Sequence, residues 1–156
     1  MLEIFYKDPE HAPIPLFLGF PCAKDSTWAK RYPGKSNAII LTMIGYETFE
    51  KWADKKQGKR GKDYEALKKI FEHRMLEEGL FHYYPQCRGR VDVKFLGSPV
   101  TFNHFIGSQK GEVYGLDGKP ERFQKDDWLR PETHIPGLFL TGADVTTLGV
   151  TGALMA

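Results

Sequence analysis

Apolar positions recur along this chain with two different spacings, and the switches between them mark its elements. From Lys62 to Tyr84, Tyr64, Leu67, Phe71 and Met75 fall three or four residues apart, and Leu76 and Leu80 carry the stripe on. That is the period of one helix face, so the spacing predicts a helix N-capped by Asp63 and stopped by Pro85. Tyr46 to Lys55 repeats the pattern more briefly, with Phe49, Trp52 and Ala53 on one side. Pro13 to Phe20 reads as a strand entered through prolines. Ser36 to Ile44 carries the strongest strand signal, and its continuous apolar run predicts a sheet covered on both faces. Val91 to Leu96 alternates apolar and polar residues, as a half-buried strand does. After the Gly97-Ser98-Pro99 turn, a short helix is expected from Thr101 to Ile106, capped by Thr101. Strands interleaved with helices of unequal length indicate an α/β or α+β chain rather than a bundle or a sandwich.

The last segment carries the most chemistry. Leu138 to Thr141 is a short apolar run between Pro136-Gly137 and Gly142, which predicts a buried strand. Asp144 sits just past its end, and a small-residue turn then opens a helix at about Gly149 to Thr151. Strand, glycine, acid and helix start together present backbone N–H groups and a helix dipole to an electron-rich ligand. The few residues after Gly149 would not hold a helix in isolation, because nucleation costs more than one or two hydrogen bonds return. The sequence is therefore expected to be the C-terminal part of a larger protein. Earlier, Gly107 to Pro120 places four glycines around Tyr114. Such a loop lets backbone approach another group closely, and an ordinary surface turn remains the alternative.

Composition narrows the function classes. At 156 residues, with 41% hydrophobic and 13% aromatic content, the chain is rich enough to form a core. Twenty-two basic and 20 acidic residues leave a net charge of +2, which gives no case for nucleic acid. The dense basic run Lys55 to Lys62 reads as a solvated loop, with contact to anionic lipid headgroups as the functional rival. Cys22 and Cys87 have no CxxC partner and are expected as reduced thiols. The five histidines show no metal-ligand spacing, and no metal is expected. No apolar run approaches the roughly 18–20 residues of a membrane span. Asp25 with Lys24 and Arg31 reads as a salt-bridged polar loop, and Trp28, Trp52 and Trp128 as packing residues. No Ser-His-Asp, Cys-His or paired-carboxylate set is legible, so no catalytic residue is assigned. The G-x-G-x-x-G dinucleotide fingerprint is absent as well, and with it the usual means of holding ADP.

Several longer stretches fall into a recognisable order: Phe20 to Asp25, Arg31 to Ser36, Tyr46 to Trp52, Gly58 to Glu65, Gly97 to Thr101, and the closing Gly142 to Leu154. From about residue 15 onward they resemble the retinol saturase family, which belongs with the phytoene desaturases, carotenoid isomerases and other FAD-dependent oxidoreductases. The resemblance implies a parent enzyme that saturates, desaturates or isomerises C=C bonds of a retinoid- or carotenoid-like polyene, with NAD(P) as a candidate electron donor. It implies a substrate-domain portion over residues 1–134 and an FAD-contacting strand, turn and helix start over residues 135–156. Asp144, beside Gly142 and Ala143, would accept a hydrogen bond from a ribityl hydroxyl. Amides near Val150, Thr151 and Gly152 would face the flavin N1–C2=O edge, where reduction places negative charge. Phe102, Phe105 and Tyr114 are candidates to line an apolar substrate cleft, with core packing the alternative for the two phenylalanines.

By the same resemblance the parent is expected at a membrane surface, the endoplasmic reticulum if eukaryotic, and otherwise in the cytoplasm. The chain by itself, lacking the phosphate-binding half, is expected to be inactive. Ala143 stands where a glutamine-like residue is expected, and Thr147 and Leu148 alter the small-residue turn; these departures bear on the substrate rather than on FAD. An amine-oxidase-like flavoenzyme with a polar substrate, and a non-catalytic lipid-binding or interaction module, remain as alternatives.

Overall fold

The computed structural model describes residues 2–156, which gather into two compact units, one running to Thr101 and the other spanning Phe102–Ala156. The chain mixes helices with a small sheet, as the α/β reading expects. In the first unit α1 (Leu2–Lys7), β1 (Phe17–Gly19), α2 (Trp28–Arg31) and β2 (Ile39–Leu41) lead to α3 (Lys62–Arg74). Helical backbone then continues through a π turn (Met75–Leu80) into α4 (Phe81–Tyr83). α5 (Pro99–Ile106) follows and runs through the division between the units.

The apolar stripe of α3 is the organising feature of the first unit. Tyr64, Phe71, Met75 and Leu80 are buried. Tyr64 and Phe71 join Phe5, Phe49, Trp52 and Val100 in one core. Tyr64 meets Trp52 and Phe49 edge to face, with centroids 5.4 and 6.1 Å apart, an arrangement that ring quadrupoles favour. The helix begins one residue before Asp63, with Gly61 as the cap. Asp63 lies inside the first turn, where its Oδ2 accepts the indole N–H of Trp52 at 3.2 Å. Tyr46 to Lys55 forms two 3-10 turns, Tyr46–Thr48 and Glu50–Trp52, rather than one helix, and Ala53 faces solvent.

The basic run is not wholly a solvated loop. Arg60 is 3% exposed. It donates to the carbonyl of Val100 at 2.8 Å, to the Tyr64 hydroxyl at 3.2 Å and to Gln57. One charge of the run is thus a core strut: both terminal nitrogens find acceptors, which offsets the cost of burial, while the buried Nε–H has none among the described residues.

β1 and β2 pair antiparallel, with Phe17 opposite Leu41, Leu18 opposite Ile40 and Gly19 opposite Ile39. Leu18 and Ile40 are half-buried, and Ile40 packs beside Gly79 of the π turn; an added Cβ there would stand 3.6 Å from Ile40 Cγ2 and 3.1 Å from Leu16 Cδ1. Phe17, Ile39 and Leu41 are exposed. Among the described residues the sheet is covered on one face, not two, because the π turn packs on the side of Ile40 and leaves the opposite side to solvent. Val91 to Leu96 does not form the expected strand, and Val93 is 86% exposed. Alternation alone does not make a strand when no neighbour accepts its hydrogen bonds.

On the surface of this unit Arg88 donates to both carboxylate oxygens of Glu77, at 2.7 and 2.6 Å. These hydrogen bonds hold the Glu77 carboxyl below its ordinary range. A carboxylate with a lowered folded-state pKa adds stability above its unfolded pKa and loses it as pH falls through the folded value. Arg88→Met should therefore flatten the stability loss between about pH 5 and 3, read from thermal midpoints; a profile that keeps its wild-type slope would discount the pair.

The second unit contains the rest of α5, α6 (Pro120–Phe123), a 3-10 turn (Asp126–Leu129) and α7 (Gly149–Met155). α5 opens at Pro99, two residues before the expected cap, and Thr101 Oγ1 accepts the Ser98 N–H at 3.1 Å. Leu138 to Thr141 is not a buried strand. It makes one antiparallel bridge, Glu132 to Phe139, and Phe139 is 64% exposed. A buried strand needs neighbours on both sides, and this segment finds only a local return of the chain. Trp128 also faces solvent, contrary to a packing role.

Candidate functional site

The second unit folds the glycine-rich loop against the segment that carries Asp144. Gly115 has φ +93°, and a Cβ there would stand 2.6 Å from Asp144 Oδ1 and 2.7 Å from the Ala143 carbonyl oxygen. Only glycine permits that approach and that backbone angle together. The next residue uses the proximity: the Leu116 N–H donates to Asp144 Oδ1 at 2.8 Å. Tyr114 extends the contact, since its carbonyl accepts the Gly149 N–H at 3.1 Å. The loop therefore meets both the acid and the start of α7.

A single side chain underlies this junction. Arg122 of α6 is 8% exposed, donating from Nη1 to the Leu116 carbonyl at 3.0 Å and from Nη2 to the Asp144 carbonyl at 2.9 Å. Nη2 also lies 3.4 Å from the carbonyl of Val145, itself buried. Hydrogen bonds from a charged donor are stronger than neutral ones. Neither Arg122 nor the special position of Gly115 stood out in the sequence. Arg122 lies in an ordinary stretch of mixed charge between Lys119 and Asp127, and Gly115 was one glycine among four; the nearest signal was the density of glycine beside an aromatic.

The predicted positions divide into two groups. Gly142, Ala143, Asp144, Val150, Thr151 and Gly152 share one short path of chain, with Tyr114 brought against it. A Cβ at Gly142 would meet open space, and the Asp144 side chain is exposed. α7 begins at Gly149, as expected, with Leu148 as its cap. Among the described residues the amides of Val150 and Thr151 have no acceptor, whereas the Gly152 N–H donates to the Leu148 carbonyl at 3.4 Å. Gly152 has a steric reason to be glycine: an added Cβ would fall 1.9 Å from the Thr147 carbonyl oxygen. Thr146 Oγ1 donates to the Gly152 carbonyl at 3.0 Å and holds the turn to the helix. Phe102 and Phe105 form the second group. Both are exposed on α5, and neither makes a ring contact with Tyr114. Exposure does not fit the core-packing alternative for these two residues.

Chemically, the arrangement offers a carboxylate with one oxygen engaged, two unengaged amides and an aromatic ring, Tyr114, that is 58% exposed. That set suits a ligand with hydroxyl donors and an electron-rich acceptor edge. Among the described residues no cluster of His, Cys, Asp and Glu could hold a metal ion.

No family model matches the chain, and no solved structure matches it. Curated relatives do. The chain is 39% identical over 150 residues to the all-trans-retinol 13,14-reductase of Rattus norvegicus, a match covering 95% of this chain and 24% of the relative. It is 41% identical over 147 residues to the Homo sapiens protein of the same name, covering 93% of this chain and 24% of that one. A Danio rerio protein named inactive all-trans-retinol 13,14-reductase is 31% identical over 159 residues, 99% of this chain and 26% of the relative. The chain thus spans about a quarter of the length of the relatives it matches. Over nearly its whole length, through both compact units, it is a homologue of one segment of the all-trans-retinol 13,14-reductases.

Proposed function

We propose that this chain supplies the flavin-facing turn of an FAD-dependent oxidoreductase that acts on C=C bonds of an apolar, conjugated polyene of the retinoid or carotenoid kind. The reading draws on the relatives' names and rests on one local observation: the Asp144 carboxylate is fixed by the Leu116 amide through one oxygen, on a turn open beside Gly142. The residues present fit the flavin end of FAD. Asp144 would accept from a ribityl hydroxyl, while Val150 and Thr151 would direct their amides at the ring edge that becomes electron-rich. Gly152, with its amide already directed at Leu148, would contribute less.

When bound, FAD supplies the two-electron chemistry, with NAD(P) as its electron source in a reductase. The protein's part is to orient the cofactor and present the substrate. A helix start facing developing charge contributes about 0.3–2 kcal/mol. The phosphate-binding half of a dinucleotide-binding fold would come from outside this chain, which lacks that fingerprint. Phe102, Phe105 and Tyr114 offer exposed apolar surface for the polyene. A substrate of that kind partitions into lipid, so peripheral membrane contact belongs to the same reading.

Asp144→Ala tests it in a protein of the relatives' full length carrying this chain. FAD affinity should fall by about 1–3 kcal/mol, the loss of a hydrogen bond to a charged acceptor. An unchanged dissociation constant, measured by flavin fluorescence, would reassign Asp144 to holding Leu116 alone. A lipid-binding module without cofactor is the second reading; one relative, at the lower identity of 31%, is named inactive. Retained polyene binding with no flavin uptake would select it.

A further inference from the structure

The hydrogen bonds around Asp144 close a ring. Arg122 Nη1 donates to the Leu116 carbonyl, the Leu116 N–H donates to Asp144 Oδ1, and the Asp144 carbonyl accepts from Arg122 Nη2. Leu116 uses both of its main-chain groups, and Asp144 uses main chain and side chain. Among the described residues no carboxylate pairs with Arg122, although its side chain is buried; its hydrogen-bond acceptors are the carbonyls of Leu116, Asp144 and Val145. A buried cation whose hydrogen bonds go to main-chain oxygens works as a backbone clamp, and its planar fork reaches groups that lie apart in sequence.

We propose that Arg122 is the positioning residue for the Asp144 turn: its guanidinium joins the glycine-rich loop to residues 144 and 145, and so fixes where the Asp144 carboxylate is presented to a polyhydroxylated ligand. The proposal rests on the flavin reading for the identity of that ligand, while the clamp itself does not. Lysine cannot replace arginine here. A single ammonium on a flexible stem would reach one side of the ring and release the other.

Arg122→Lys keeps the charge and most of the length, and Arg122→Met keeps the volume if the lysine is poorly tolerated. In the chain without ligand, amide hydrogen exchange at Leu116 should accelerate about tenfold or more in either variant. Exchange within α3, in the other unit, should stay at the wild-type rate. In a protein of the relatives' full length, Arg122→Lys should weaken FAD binding about tenfold. The double variant with Asp144→Asn should bind no worse than Asp144→Asn alone, since both changes act through one carboxylate. A Leu116 amide that stays protected in both variants would overturn the clamp, and additive losses in the double variant would place Arg122's effect elsewhere. If Leu116 loses protection while FAD binding is indifferent to every variant, Asp144→Asn included, Arg122 still positions the turn and it is the flavin reading that has failed.

Discussion

Trp52→Ala should cost the first unit about 3–5 kcal/mol, the range for removing a large buried ring. Trp52 is 2% exposed and lies between Phe49, at a centroid distance of 6.0 Å, and Tyr64, at 5.4 Å. Its indole N–H also ties the turn before α3 to Asp63. Alanine removes the transfer free energy of the ring and leaves a cavity that its packed aromatic neighbours cannot fill by small shifts. Trp52→Phe separates the contributions. It retains a ring in the cluster and loses the bond to an exposed carboxylate and part of the indole's volume, so its cost should stay at about 1–2 kcal/mol. Urea denaturation followed by the exchange protection of α3 measures both. An alanine variant less than about 1 kcal/mol below wild type would show that Trp52 is not central to this core.

Gly115→Ala should destabilise the second unit by about 2–5 kcal/mol, combining left-handed backbone strain with overpacking. The new methyl would meet Asp144 Oδ1 at 2.6 Å and the Ala143 carbonyl oxygen at 2.7 Å, and the latter is main chain that cannot swing aside. Gly137 supplies the control. It also has positive φ, at +80°, but nothing lies within 4 Å of its Cβ position. Gly137→Ala should therefore show the conformational cost alone, about 1 kcal/mol, and the difference between the variants reports the clash. The Leu116 amide should lose protection in the Gly115 variant only. Equal costs at the two glycines would mean that the loop does not press on the Asp144 turn.

The contrast between those glycines shows where sequence reasoning reaches its end. Both are equally plain in the sequence, and one is crowded by residues almost thirty positions away while the other faces open space. The same holds for arginine. Arg60 reads as part of a solvated run and is a core strut. Arg122, which no sequence pattern singled out, hydrogen-bonds three carbonyls. Burial of a guanidinium depends on which carbonyls the fold brings to it, and most of those lie twenty or more residues away along the chain.

What the sequence determined by itself was local or periodic. The stripe, spaced by the helix repeat, marked Tyr64 and Phe71 of the core and the buried Met75 and Leu80 beyond them, and helix start signals located α7 at Gly149. The ordered stretches from Phe20 to Leu154 pointed to the relatives that the chain matches. Tertiary structure alone decided the rest. Ser36 to Ile44, Val91 to Leu96 and Leu138 to Thr141 all carry strand patterns, yet only three residues of the first pair in a sheet and the last makes a single bridge. A helix satisfies its hydrogen bonds within its own segment, so its pattern is self-sufficient. A strand depends on a partner that its own residues do not specify, and so does a site assembled from a loop, an acid and a distant arginine.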